Sequence, residues 1–201
     1  MQLKRFARAD RVRISEPRVS TTDPEARIMK MPDGGYRPAY NLQLATDMTH
    51  GIIVGVSVSN SGSDAGQALP MVEQIERRTG QRPNDYLVDG GFSSLQDITA
   101  LEKLGLTTYA PVRQPRSRPE EERYQPHYND TPEVIEWRQR MSTEEGKAVY
   151  RLRASCAEWP NAQVCRHGLS GFNLRSSQAF YAAGILLAIA HNLLRWTHLA
   201  T

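Results

Sequence analysis

The sequence predicts an α/β fold with helices packed on a sheet, followed by a helical C-terminal part. Three observations carry this. Two strand-like segments, PAYNLQLATD (38–47) and GIIVGVSVSN (51–60), flank a turn signal, MTHG. Strand-like and helix-periodic segments then alternate through residue 112 in the order β-β-α-β-α-β, which implies parallel pairing with helices as crossovers. Beyond residue 132 the periodicity is helical only. At 201 residues, with 39% hydrophobic and 23% charged side chains, the chain is long enough for one domain with a real core.

Each element has its own signal. Residues 1–37 are polar and basic, with Pro17, Pro24, Pro32 and Gly34-Gly35, and read as largely irregular; 1–21 form a basic N-terminus. In the first strand Tyr40, Leu42 and Leu44 alternate with Asn41 and Gln43, and the second is rich in β-branched residues. NSGSD (60–64) offers Asp64 as an N-cap for AGQALPMVEQIERRTG, with a carboxylate facing the functional site as its other reading; Leu69, Val72 and Ile75 of that helix share a face, and Gly80 ends it. DYLV (85–88) is a short strand. SSLQDITALEKLG (93–105) is a helix capped by Ser93 or Ser94 and closed by Gly105, and TTYAPV (107–112) is a strand that Pro111 ends. Residues 113–131 are Pro-rich and charged, a loop rather than core. Residues 132–166 read as helix, broken near Met141-Ser142, and Pro160 is expected to kink or end it. A last helix, about 176–199, carries the apolar run AFYAAGILLAIA (179–190), too short to span a bilayer and read as buried.

The bulk numbers exclude more than they identify. A net charge of +3, from 25 Lys+Arg against 22 Asp+Glu, leans toward an anionic partner without choosing one. The basic side is almost all arginine, which suits bidentate phosphate contact. Cys156 and Cys165 make neither a disulfide framework nor a zinc-ligand spacing, so a reducing cytoplasm is the default. The N-terminal stretch MQLKRFARADRVRISEPR has no apolar core of a signal peptide. These readings place the chain in the cytoplasm with no membrane partner.

Two carboxylates draw chemistry to themselves. Asp89, in LVDGGFSS (87–94), follows a strand and precedes two glycines. Asp-Gly is a common turn pair, and a turn is the plain reading. The alternative is a carboxylate at the C-terminal end of a parallel strand, where ligands sit in open α/β sheets, with glycines that let a substrate approach. Glu158 shares a helical face with Arg151, Asn161 and Cys165, two residues before Pro160. It reads either as a solvated ion-pair face or as a glutamate positioned at a kink. The histidines His167, His191 and His198 read as structural.

Several blocks in fixed order then resemble a known family. TDPEARIMK (22–30), VSNSGSDAGQALPM (58–71), VDGGFSS (88–94), AEWPNAQVCRHGL (157–169) and AHNLLR (190–195) are similar to the C-terminal part of the DDE (Asp-Asp-Glu) transposases of bacterial insertion sequences. The similarity covers most of 22–112 and again 142–195. It implies an RNase H-like mixed sheet flanked by helices over residues 22–201, with a charged insertion over 113–141. It implies that Asp89 is the second metal-binding aspartate and Glu158 the third carboxylate. Mg²⁺ or Mn²⁺ is the implied cofactor, since paired hard cations clamp the attacking and leaving oxygens of a phosphodiester. DNA, as transposon ends and target, is the implied partner of a homo-oligomer. Arg151, Arg153, Arg166 and Lys30 are candidates for phosphate contact, as are Arg27 and Arg37, and Trp159 for stacking on an unpaired base.

The departures also carry information. The family's first aspartate lies on the first strand in a "DGT"-like segment upstream of the TDPEAR block, and nothing in residues 1–20 fits it; Asp10, Asp23 and Asp47 stand in the wrong contexts. The resemblance therefore implies a catalytic domain lacking its first strand and first aspartate, truncated at its N-terminus, with an exposed sheet edge. Tyr150 and Arg153 precede Glu158 at a spacing one residue long, and Cys165-Arg166 stands where a lysine is expected. Metal-dependent cleavage and strand transfer at insertion-sequence ends is the main reading. An inactive truncated transposase acting as a DNA-binding regulator or relic is the second, and an unrelated α/β ligand-binding domain the third.

Overall fold

The computed structural model describes residues 20–31, 33–114, 119, 122–166 and 174–200, with side chains throughout except for 157–166. The elements are β1 (Arg27–Lys30), β2 (Tyr36–Ala39), β3 (Asn41–Thr46), β4 (Ile53–Ser59), α1 (Ala68–Thr79), β5 (Asp85–Leu87), α2 (Leu95–Lys103), β6 (Thr107–Tyr109), α3 (Pro132–Ser142), α4 (Glu144–Arg166) and α5 (Ser177–Leu199). The described strands form three two-stranded sheets rather than one mixed sheet. β1 and β2 pair antiparallel, as do β3 and β4, with Asn41 opposite Ser59 and Leu44 opposite Val56. β5 and β6 pair parallel, joined by α2 as crossover.

β1 and the first half of β2 fall inside the stretch 1–37 read from sequence as largely irregular, while Pro38 and Ala39 read as the start of the next strand. The strands of this hairpin are short and mostly exposed, so they carry no alternation to detect. Its turn chemistry is local: Asp33 Oδ1 accepts from Gly35 N at 2.9 Å, Gly34 N donates to Met31 O at 2.9 Å, and Gly34 sits at φ 82°, a conformation that favours glycine.

Side-chain alternation along β3 sorts the first half into two faces. Leu42 and Leu44 pack with Ile53, Val56, Leu187 and Ala188 under α5, which turns Gln43 to the side of α1. Contact with α5 is very close at Gly184, where a β-carbon would lie 2.8 Å from Leu42 Cδ1 and 3.1 Å from Val56 Cγ1. Both ends of α5 are clamped. Glu25 Oε2 accepts from Ser177 N at 2.8 Å and Ser177 Oγ at 2.6 Å, while Asp23 accepts from Ser176 N and from the Tyr40 hydroxyl. At the far end Asn192 exchanges two 2.8 Å hydrogen bonds with the backbone of Ile53, and His191 Nε2 lies 2.9 Å from Gly51 O. The TDPEA and AHNLLR blocks thus do structural work here: they fasten α5 to the β3–β4 hairpin.

That helix is not buried as the apolar run suggested. Gly184, Leu187, Ala188 and His191 are covered, but Leu186, Ile189, Leu193 and Trp196 are more than half exposed. By length and composition alone α5 is apolar enough to cross a membrane; its inner face is committed to the hairpin.

In the second half, Val88, Ile98, Ala110, Val112, Val134, Trp137 and Met141 form one buried cluster. Residues 132–141, the end of the stretch counted as an insertion, thus contribute side chains to the core through α3. Two arginines of the WRQRM run hold α3 in place. Arg140 makes paired bonds of 2.7 and 2.9 Å to Glu102 and one of 2.9 Å to Thr108 O, and Arg138 is buried against Asp130 at 2.7 Å. Thr143 separates α3 from α4 near the expected break. α4 then runs through Pro160 to Arg166, where sequence reading expected a kink or an end. A proline removes one N–H from the ladder, and the turns on either side keep theirs.

Candidate active site

β5 ends at Leu87, and the chain enters a turn built by Asp89 itself: Gly91 N donates to Asp89 Oδ1 at 2.8 Å and Phe92 N to Asp89 O at 3.2 Å. Ser94 then caps α2 by accepting from Asp97 N at 3.1 Å. The turn reading and the ligand reading of Asp89 coexist, because its other oxygen, Oδ2, faces Arg153 of α4 at 3.3 Å. Both side chains are partly exposed, so the pair is wet and weak.

Asp89 lies on a cleft of about 920 Å³ that residues of β3 (Asn41–Thr46) and β5 (Asp85–Leu87) line together, with Asp64, Phe92, Arg153 and Cys156. α4 touches β3 and β6, which brings Arg153 and Cys156 to the cleft. Among the described residues β3 pairs only with β4 and β5 only with β6. Tyr86 also lines the cleft, and burial, with a smaller push from the Asp97 charge, holds its phenol above the ordinary range.

Of the two sequence readings of Asp64, the N-cap is the one the structure overturns. It does not cap α1, whose N-cap is Gln67 with no side-chain bond; Asp97 Oδ2 instead accepts from Gly66 N. Asp64 Oδ1 accepts from Asn41 Nδ2 at 2.6 Å and Gln43 Nε2 at 2.9 Å. Gly91 separates it from Asp89: a β-carbon there would lie 2.5 Å from Asp64 Oδ2 and 3.1 Å from Asp89 Oδ1. The start of β3 and the residues just beyond β5 therefore meet at one carboxylate-lined end of the cleft. Sequence reading missed Asn41, Gln43 and Asp64 as a group. The available signal was the polar side of the β3 alternation, which needed a partner once Leu42 and Leu44 faced the core.

A comparison with protein-family profiles matches residues 10–193 to the transposase DDE domain. The chain belongs to this transposase family. No curated protein and no solved structure matches it. Membership supports transposition as the general function and an α/β fold; the described elements are compatible with that class.

Within this DDE domain the other sequence-predicted residues are spread out. Glu158 stands on α4, five positions after Arg153, with its side chain outside the described residues, as are those of Trp159, Cys165 and Arg166; His167 lies outside them altogether. Arg151 is exposed on α4. Lys30 is exposed on β1 and is not among the residues lining the cleft. No group of three or more His, Cys, Asp or Glu among the described residues is arranged to hold a metal. Where Asp64 and Asp89 meet, the cleft offers oxygen: their two carboxylates and, from the neighbouring Gln43, a carboxamide, a donor set that suits a hard divalent cation such as Mg²⁺.

Proposed function

We propose that this DDE domain takes part in DNA transposition by metal-dependent phosphodiester cleavage and strand transfer, with Asp89 and Glu158 as metal-binding carboxylates. The observation that carries the reading is Asp89 at the end of a parallel strand, beside an arginine and a second carboxylate, in a cleft lined by two strand edges. A bound Mg²⁺ or Mn²⁺ supplies Lewis acidity and offsets charge on the phosphate. The chain's own residues do the rest. Asp89 and Glu158 hold the cation. Gly90 and Gly91 keep the approach free of side chains. Arg153 exchanges its loose contact with Asp89 for a phosphate oxygen when DNA arrives, and Arg151 and Arg166 extend that contact along α4. The protein works as an oligomer on DNA ends and target, in the cytoplasm.

The fold supports a finer version. A strand laid in the cleft antiparallel to β3 would run parallel to β5 and unite the β4-β3 and β5-β6 pairs into one mixed, RNase H-like sheet. Its C-terminal end would arrive beside Asp64 and Asp89, the place for the family's first aspartate.

The test is nicking of supercoiled DNA by the purified chain with Mg²⁺ or Mn²⁺, alongside Asp89→Ala and Glu158→Ala. Metal-dependent nicking lost in both variants supports the reading. Salt-dependent DNA binding without nicking favours a non-catalytic regulator. Absence of any DNA binding refutes both.

A further inference from the structure

We propose that Asp64 is a metal-facing carboxylate, sharing a hard divalent cation with Asp89 and assisted by the buried carbonyl of Gln43. The inference rests on the reading of Asp89 as a metal-binding residue and adds a ligand that the Asp-Asp-Glu pattern does not contain.

Asp64 is held by one oxygen and presents the other. Oδ1 takes both amide donors, Asn41 Nδ2 and Gln43 Nε2. Neither donor carries a charge, so the carboxylate is oriented without being neutralised. Oδ2 accepts no hydrogen bond and makes no ion pair among the described residues, and it packs closely over Gly91. Asp89 Oδ1 approaches the same glycine. Both oxygens lie within about 3 Å of the point that a Gly91 β-carbon would occupy, at 2.5 and 3.1 Å. Any other residue at 91 would fill the space between the carboxylates. Two carboxylates sharing a site repel unless a positive charge joins them. The cation present, Arg153, pairs with the outer oxygen of Asp89 rather than with Asp64.

Gln43 supplies an independent sign of a ligand. The residue is 6% exposed, it lines the cleft, and its Oε1 is buried with no hydrogen-bond partner among the described residues. Turning the carboxamide over does not solve this, because Asp64 needs the N–H₂ end. A buried carbonyl without a donor is costly, and such an atom on a side chain bonded to Asp64 suits a cation or its coordinated water. Carboxylate, carboxylate and carboxamide oxygen are the ligand types that Mg²⁺ and Mn²⁺ accept.

The experiment is a Mn²⁺ titration of the full chain without DNA, read by the electron paramagnetic resonance signal of free Mn²⁺. Wild type is expected to bind, and Asp64→Asn and Asp89→Asn each to weaken Kd about tenfold or more, the scale on which shell residues matter at metal sites. Asp64→Asn keeps an Oδ1 acceptor for Asn41 and Gln43, and a thermal melt verifies its fold. If Asp64→Asn binds Mn²⁺ like wild type while Asp89→Asn does not, Asp64 is no ligand and the proposal falls, with the role of Asp89 intact. If wild type takes up no Mn²⁺, both fall. Should Asp64→Asn not fold, Gln43→Met is read in its place: weakened binding supports the shared site and an unchanged Kd overturns it.

Discussion

Removing Arg138 should cost this protein more than removing any arginine at the cleft. The Arg138 and Asp130 side chains are 7% and 2% exposed, and Nε meets Oδ2 at 2.7 Å. Arg138 also donates to Arg123 O at 3.3 Å and lies 5.7 Å from the centre of the Trp137 ring, while the same Asp130 oxygen accepts from His127 N. Arg138→Ala leaves Asp130 charged and buried without its cationic partner, with the His127 amide still donating to it. Breaking a buried pair from one side costs about 3–5 kcal/mol, a large part of the roughly 5–15 kcal/mol that holds a typical domain together. Replacing both partners, as Asp130→Asn with Arg138→Met, removes the stranded charge and is expected to recover most of the loss. The assay is urea unfolding followed by tryptophan fluorescence, since Trp137 is fully buried beside the pair. The midpoint should fall sharply in Arg138→Ala and return in the double variant at an unchanged slope. A loss under about 1 kcal/mol in the single variant would mean that the pair behaves as a solvated one. A double variant no better than the single would mean that the cost lies in packing. Either result would refute the reasoning.

Three further outcomes follow from the same contacts. Gly184→Val drives a branched side chain into Leu42 and Val56 and is expected to destabilise by about 1–3 kcal/mol, measured by thermal melting. The Tyr40 phenol, pushed up to about 12 by burial and by its hydrogen bond to Asp23, has a raised folded-state value. Its contribution is complete below the ordinary value of 10.0 and is lost as pH rises through about 12, so among the late-ionising tyrosines that ultraviolet titration detects, Asp23→Asn should bring one forward. Glu25 is held below its ordinary value of 4.5 by the Ser177 hydroxyl and then the Ser177 N–H. A depressed carboxylate stabilises above the unfolded value and loses that contribution as pH falls through the folded one; acid should loosen the start of α5, seen as faster amide exchange there, and Glu25→Gln should loosen it at neutral pH.

Much of the element order was legible because periodicity and turn chemistry agree. Leu69, Val72 and Ile75 followed by Gly80 specify α1 and its end, and Gly80 indeed takes φ 73°. β1 and β2 escaped because four-residue strands with one well-covered side chain have no period to read. At the site, Asp89 stood out because a strand stops beside it. Asp64 did not, because its partners Asn41 and Gln43 lie 23 and 21 residues away and only pairing of β3 with β4 brings them together. The arginines show the limit of charge as a signal. Sequence counts Arg138, Arg140 and Arg153 alike, yet two of them are spent inside the fold and one faces the cleft.

The clasp between Asn192 and Ile53 has a consequence for how the chain is made. The two residues are 139 positions apart, so the β3–β4 hairpin leaves the ribosome long before the helix that covers it. At about 5–20 residues per second, the apolar side of Leu42, Leu44, Ile53 and Val56 waits roughly 7–28 s for its cover, over the 139 residues that intervene. During that interval the nascent hairpin presents bare hydrocarbon and open strand edges to its surroundings. Synthesis speed and chaperone supply, more than the final stability, then set how many copies escape aggregation.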